Sequence, residues 1–215
     1  MKRYSGPDST SKSLSDRRLK SGPGLAILLA VAAAVALLLG WLTLAQKPTS
    51  GGTADIGGPF QLVDQDGRPV DQTILKGRWS AVFFGYVSCP DICPATMQTL
   101  ATAQNRLGAD AARLQVVFIS VDPARDTPAQ LKAWSSQAGF PRSVRALTGT
   151  LPQVTAAAKA YRVYFAKDNR PGDYQVAHSA AIYLMNPEGR FVAPLSYEQG
   201  PDKLAHDLSA AMRGS

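Results

Sequence analysis

Apolar residues are not spread evenly along the chain. Residues 25–45 read LAILLAVAAAVALLLGWLTLA, an uninterrupted apolar run with no polar face. Beyond it the pattern breaks into short blocks. Residues 60–63 and 69–70 flank Asp64-Gln65-Asp66-Gly67, so the Asp-Gly turn predicts a small hairpin. Residues 79–86 (WSAVFFGY) and 114–121 (LQVVFISV) are continuous apolar runs of strand length, the pattern of strands covered on both faces. Between them, residues 94–107 place Met97, Leu100 and Leu107 on one helical face, with Gly108 placed to stop the helix. Thr127-Pro128-Ala129-Gln130 supplies an N-cap, a first-turn Pro and a capping-box Gln for a helix carrying Leu131 and Trp134. A further helix is predicted over 151–161 and a short strand over 163–165. Residues 167–175 (KDNRPGDYQ) form a turn-rich loop. Residues 180–185 and 191–194 flank Asn186-Pro187-Glu188-Gly189 as a closing hairpin, and a last helix from Pro201 buries Leu204, Leu208 and Met212. Strands alternating with helices, then an antiparallel hairpin, predict an α/β sheet with helices on both faces.

The long apolar run lies outside that domain. At about 1.5 Å per residue its 21 residues reach about 31 Å, roughly one bilayer hydrocarbon core. Lys2, Arg3, Lys12, Arg17, Arg18 and Lys20 precede it and only Lys47 follows closely, so the positive-inside bias keeps the N-terminus in the cytoplasm. The run exceeds the h-region of a cleaved signal, so an uncleaved anchor is expected. Residues 47–58 (KPTSGGTADIGG) read as a flexible tether. The expected organisation is therefore a basic cytoplasmic segment over 1–24, a transmembrane anchor over 25–45, a tether over 46–58 and a folded domain over 59–215. Asp8 and Asp16 interrupt the basic segment, which forms no Arg-rich amphipathic helix. A single-pass protein of a bacterial inner membrane with a periplasmic domain is expected, and a mitochondrial setting is disfavoured.

Composition supports one core and little else. Of the residues, 45% are apolar and 18% charged, a balance that excludes a disordered chain and a multi-span membrane protein. The formal charge is +7, but the first twenty residues hold six of the 23 basic and two of the 16 acidic side chains. The remainder carries 17 against 14, or +3. No nucleic-acid partner is expected.

Chemistry concentrates at Cys89 and Cys93, the two cysteines of the chain. In an exported domain they are expected to pair with each other. Pro94 disfavours helical geometry at the residue before it, so Cys93 is expected at the helix N-cap, where orphan N–H groups and the helix dipole favour thiolate. A plain stabilising disulfide is the simpler reading, but so short a loop restrains the unfolded chain little. Of the two histidines, His206 lies between Leu204 and Leu208 on the face away from the apolar stripe and is expected at the surface. His178 lies between the polar loop and the buried run AAIYLM, where a side chain can face a neighbouring loop. Two thiolates and an imidazole make a soft trigonal set suited to Cu(I); it can hold Cu(II), and zinc would fit the same atoms. Asp122 and Asp126 are read as turn and helix-start chemistry, Met97 as core and Asp91 as solvated.

The runs GYVSCPDICP and SVDPARDTP, with DYQVAHS before the closing hairpin, resemble the SCO/SenC family of copper-binding, thioredoxin-like proteins. The resemblance covers residues 60–212. It implies a thioredoxin-like fold and makes Cys89, Cys93 and His178 copper ligands. It also implies a task in assembling the binuclear copper (CuA) centre of cytochrome c oxidase, with a copper-accepting oxidase subunit downstream and a copper donor or thiol reductant upstream. The family often places Asp before the ligand His, and here that position is Ala177. The competing expectation is a thiol-disulfide oxidoreductase that cycles Cys89 and Cys93 to keep an acceptor's cysteines reduced. A peroxidase is disfavoured, because Tyr86 stands where peroxiredoxins place Thr, three residues before Cys89.

Overall fold

The computed structural model describes residues 23–45, 56–168 and 174–214. Two units are distinct, residues 1–52 and 53–215. In the first, Pro23–Ala45 forms one 23-residue helix, α1. The side chains described in it are those of Gly24 and residues 27–38, all exposed. Among the described residues no helix is long and apolar enough to cross a membrane.

The second unit is built on a seven-stranded sheet. Its strands are β1 (Gln61–Asp64), β2 (Pro69–Asp71), β3 (Trp79–Gly85), β4 (Leu114–Ser120), β5 (Val144–Thr148), β8 (Ile182–Met185) and β9 (Phe191–Leu195). The strand order is β2-β1-β5-β4-β3-β8-β9. The centre, β3-β4-β5, is parallel, and antiparallel hairpins flank it on both sides. β6 (Phe165–Lys167) and β7 (Val176–His178) form a separate antiparallel pair.

Every residue of β3 and β4 is buried, which is why these stretches lack polar alternation. Ala81 and Phe83 of β3 face α2 (Ile92–Arg106), α3 (Pro128–Ser135) and α5 (Gly200–Arg213), through Met97, Leu100, Trp134, Leu204 and Leu208. Val82 and Phe84 point to the other face, against Val154, Ala157 and Tyr161 at α4 (Leu151–Ala160). Thus α2, α3 and α5 cover one face and α4 the other, the α/β sheet with helices on both faces that the alternation predicts. Both α3 and α4 begin with complete capping boxes, Thr127/Gln130 and Thr150/Gln153. Each box satisfies orphan N–H groups at a helix start and is worth about 1 kcal/mol.

One strand was not foreseen, and two local expectations shift. Val144–Thr148 is a central strand that its sequence conceals, because Arg145 interrupts the apolar run and is neutralised by buried Asp64 at 3.1 Å. The strand expected over 163–165 lies two residues later, at Phe165–Lys167. Order also begins before residue 59. The N–H of Gly57 donates to the Ala160 carbonyl at 2.9 Å, and Ile56 packs on the α4 face.

Candidate metal centre

The site lies where the parallel centre of the sheet ends. β3 stops at Gly85, and the chain turns through residues 86–91 into α2. The Cys89 N–H donates to the Tyr86 carbonyl at 3.2 Å and closes that turn. Cys89 is half-buried; Cys93 is 0% exposed and packs with Phe83, Met97 and Phe118. Gly85 makes room for it. A Cβ on Gly85 would come within 2.6 Å of Cys93 Sγ and 2.9 Å of Phe118 Cε2. The sulfur therefore lies directly against the bare backbone at the strand end.

Cys93 is not the N-cap. That position is Asp91, whose side chain makes no capping bond, and Cys93 is the second residue of α2. Pro94 is accommodated in the first turn because its missing N–H would have no partner there, and the residue four back, Pro90, is outside the helix. The consequence for the thiols is asymmetric. The Cys93 side chain donates to Cys89, and backbone N–H groups of Cys93 and Asp91 also face Cys89, so its pKa falls well below the ordinary thiol range. That same hydrogen bond, with burial second, pushes Cys93 upward. The pair thus shares one proton, with the thiolate on the half-exposed sulfur. Thiolate was expected to be favoured at the helix start; within the pair the structure favours it on Cys89, because the contact between the two sulfurs, with burial second, disfavours charge on Cys93. Both residues are free thiols in this structure, without the expected disulfide.

The imidazole arrives from the other side, 85 residues away in sequence. His178 is the last residue of β7 and does not begin the strand at Ile182. Its Nδ1 donates to the Ser179 carbonyl, which only accepts, at 3.0 Å, and this leaves Nε2 as the ring nitrogen facing the cysteines. Nε2 lies 3.6 Å from Cys93 Sγ, and the three donor atoms of Cys89, Cys93 and His178 fall within 4.8 Å of one another. Among the described residues this is the metal-capable group of three or more ligating side chains. Phe83 and Tyr86 approach the imidazole edge-on at 6.0 and 5.9 Å between ring centroids. Two sulfurs and one nitrogen, partly enclosed by aromatic rings, suit a soft ion of low coordination number such as Cu(I).

Supporting residues lie immediately behind. Asp126, 1% exposed, accepts from Ser120 Oγ at 2.6 Å and from the Val87 N–H at 3.1 Å. Its carboxylate braces the cysteine turn rather than starting α3, whose cap is Thr127. Burial pushes its pKa up to about 6. Asp122 accepts from the Tyr174 hydroxyl at 2.7 Å and pairs with Arg125, whose guanidinium stacks 3.7 Å from the centroid of the Tyr174 ring. Met97 is fully buried, while Asp91 and His206 are exposed, as expected. Gly85 and Gln175 were invisible as site residues, and Tyr86 stood out only as a missing Thr. Their roles depend on chain segments that meet only in the fold.

The SCO1/SenC family profile matches residues 48–213. The chain belongs to the SCO1/SenC family. It is 41% identical over 167 residues to Protein SCO2, mitochondrial, of Saccharomyces cerevisiae, a match covering 74% of this chain and 55% of that protein. The chain spans about half the length of the yeast and plant relatives that it matches. Among solved structures, Bradyrhizobium japonicum ScoI with copper bound is 42% identical with a TM-score of 0.66, covering 72% of this chain and 98% of that one. BsSco is described as a member of the Sco family of cytochrome c oxidase assembly proteins in which a disulfide switch was identified. It is 25% identical with a TM-score of 0.57, covering 73% of this chain and 94% of that one.

Proposed function

We propose that this SCO1/SenC protein is a copper metallochaperone, held at a bacterial inner membrane by the apolar run of residues 25–45, that delivers copper to the CuA site of cytochrome c oxidase. The observation that carries this reading is the convergence of Cys89, Cys93 and His178 donors within 4.8 Å. A solved relative with copper bound and another named for oxidase assembly support it. Copper is cargo, and the transfer needs no redox step. An acceptor thiolate adds to the bound ion on the half-exposed Cys89 side, coordination rises by one, and a ligand of this chain is released; repetition moves the ion across. Cys93, fixed under Gly85, is the ligand placed to leave last.

The thiol asymmetry favours a second reading, thiol-disulfide exchange. Cys89 thiolate would attack a target disulfide, forming a mixed disulfide and releasing one target thiolate. Cys93 would then lose its proton, displace the second target sulfur and leave the chain oxidised and the target reduced, and an upstream dithiol would restore the starting state. His178 separates the two readings, because exchange does not need an imidazole. Under the chaperone reading, His178→Ala keeps Cu(I) on two thiolates, loses most Cu(II) affinity and fails to support oxidase assembly in cells. Full oxidase copper content with a correctly folded, normally expressed His178→Ala protein would replace the chaperone with the reductase. For the anchor, protease added to spheroplasts should digest the residues beyond 46 and spare the basic first twenty; protection of the domain would overturn the topology.

A further inference from the structure

The hairpin that carries His178 shares no strand hydrogen bonding with the main sheet. Among the described residues, the side chains of Val176 and Gln175 contribute to its hold on the domain. Val176 is buried in the core facing α4. Ala177 is exposed on the opposite face of β7, paired with Ala166. A methyl group there offers no hydrogen bond. What the chain provides is one residue before Val176. Gln175 is fixed by its backbone, whose N–H donates to Asp168 Oδ1 at 3.1 Å and whose carbonyl accepts from the Asp168 N–H at 2.9 Å. Its side-chain Oε1 accepts from the Tyr86 hydroxyl at 2.6 Å.

Tyr86 thereby touches both halves of the site. Its carbonyl closes the Cys89 turn, its ring packs at 90° against the His178 imidazole, and its hydroxyl reaches the hairpin. The side chain is 3% exposed, and its hydroxyl is the donor to Gln175, whose amide oxygen only accepts. In a buried setting this hydrogen bond is directional, and removing the donor leaves Gln175 Oε1 without this partner.

We propose that Tyr86 and Gln175 are positioning residues for His178, their hydrogen bond setting how the imidazole meets the two thiols. The proposal rests on the copper reading above. Cu(I) accepts two thiolates alone, whereas Cu(II) favours nitrogen donors in a defined geometry, so loosening the hairpin weakens Cu(II) selectively.

The test uses the full chain, reduced and detergent-solubilised, with Tyr86→Phe, Gln175→Met and the double variant. Tyr86→Phe retains the ring beside His178 and deletes only the hydroxyl; Gln175→Met keeps chain length at a half-buried position. Each single variant should lower Cu(II) affinity about tenfold, near 1.4 kcal/mol, and the double variant no further than Tyr86→Phe, because that variant already removes the bond to Gln175. Cu(I) affinity, measured against a competing chelator, should stay within about twofold. The thiolate-to-Cu(II) absorption and the imidazole nitrogen hyperfine coupling should both change. Unchanged Cu(II) affinity and spectra in Tyr86→Phe would overturn the proposal, as would additive losses or an equal loss of Cu(I). If Tyr86→Phe does not fold, Gln175→Met decides by the same readings. A parent chain that binds no copper defeats the copper reading and this proposal together; a parent that binds copper alongside unaltered variants defeats this proposal alone.

Discussion

The cysteine side and the histidine side of the site are built differently. Cys93 is sealed into the core between a fully buried strand and α2, with its sulfur against a glycine backbone. His178 ends a three-residue strand of a two-stranded sheet, half-buried and held by side-chain contacts. The first half is as rigid as the domain, since moving it means repacking the core. The second is free to yield locally, since short paired strands off the main sheet open at lower cost. A site with two fixed soft ligands and one adjustable nitrogen retains Cu(I) in either state and holds Cu(II) when the third ligand is in place.

The strongest way to break that comparison is to remove the fixed half. Cys89→Ser with Cys93→Ser should abolish stoichiometric copper binding, a loss of at least three orders of magnitude, because a protonated hydroxyl is a poor soft-metal ligand. Metal analysis after gel filtration measures this, and retained copper would place the site elsewhere. Next comes Gly85→Ala, whose Cβ would clash with Cys93 Sγ and Phe118. Overpacking of this kind costs about 1–3 kcal/mol. The unfolding midpoint in denaturant should fall accordingly, and both Cu(I) and Cu(II) binding should suffer, in contrast to His178→Ala, which should barely move the midpoint. Equal thermal stability of Gly85→Ala and parent would show that the fixed half is not tightly packed.

A third test concerns the brace under the cysteine turn. The folded pKa of Asp126, about 6, lies above its ordinary value of 3.8. Below about pH 4 both folded and unfolded states are protonated, and the shift contributes nothing. As pH rises from 4 to 6 the unfolded chain releases the proton first, so stability falls, and above pH 6 the full penalty is present, on the order of 2–3 kcal/mol. Asp126→Asn should remove this slope. Denaturant midpoints of parent and variant at pH 4 and pH 7 should therefore diverge in pH dependence, and parallel curves would remove Asp126 as a buried titrating brace.

The legible part of the site was the part with short-range grammar. Cys89 and Cys93 follow an apolar run and precede a helix, so the strand-turn-helix setting was readable from order alone. His178 stood out as the histidine beside a strand that could complete a soft trigonal set, but a lone histidine there is more often structural, and the three-motif family resemblance made it a ligand. Placing Cys93 at the N-cap failed because the preference imposed by Pro94 is a local steric term, and core packing of Cys93 outweighed it.

Sequence by itself determined the apolar helix near the N-terminus, the two buried central strands, the capped starts of α3 and α4, the closing hairpin and the cysteine spacing. Each follows from periodicity, capping or turn chemistry within a few residues. Tertiary structure alone decided that Val144–Thr148 enters the sheet between β1 and β4, that Gly85 must lack a side chain, and that Tyr86 reaches Gln175 89 residues away. It also decided which sulfur carries the charge. Those outcomes depend on burial and on contacts between distant segments, and neither exists until the chain has folded back on itself.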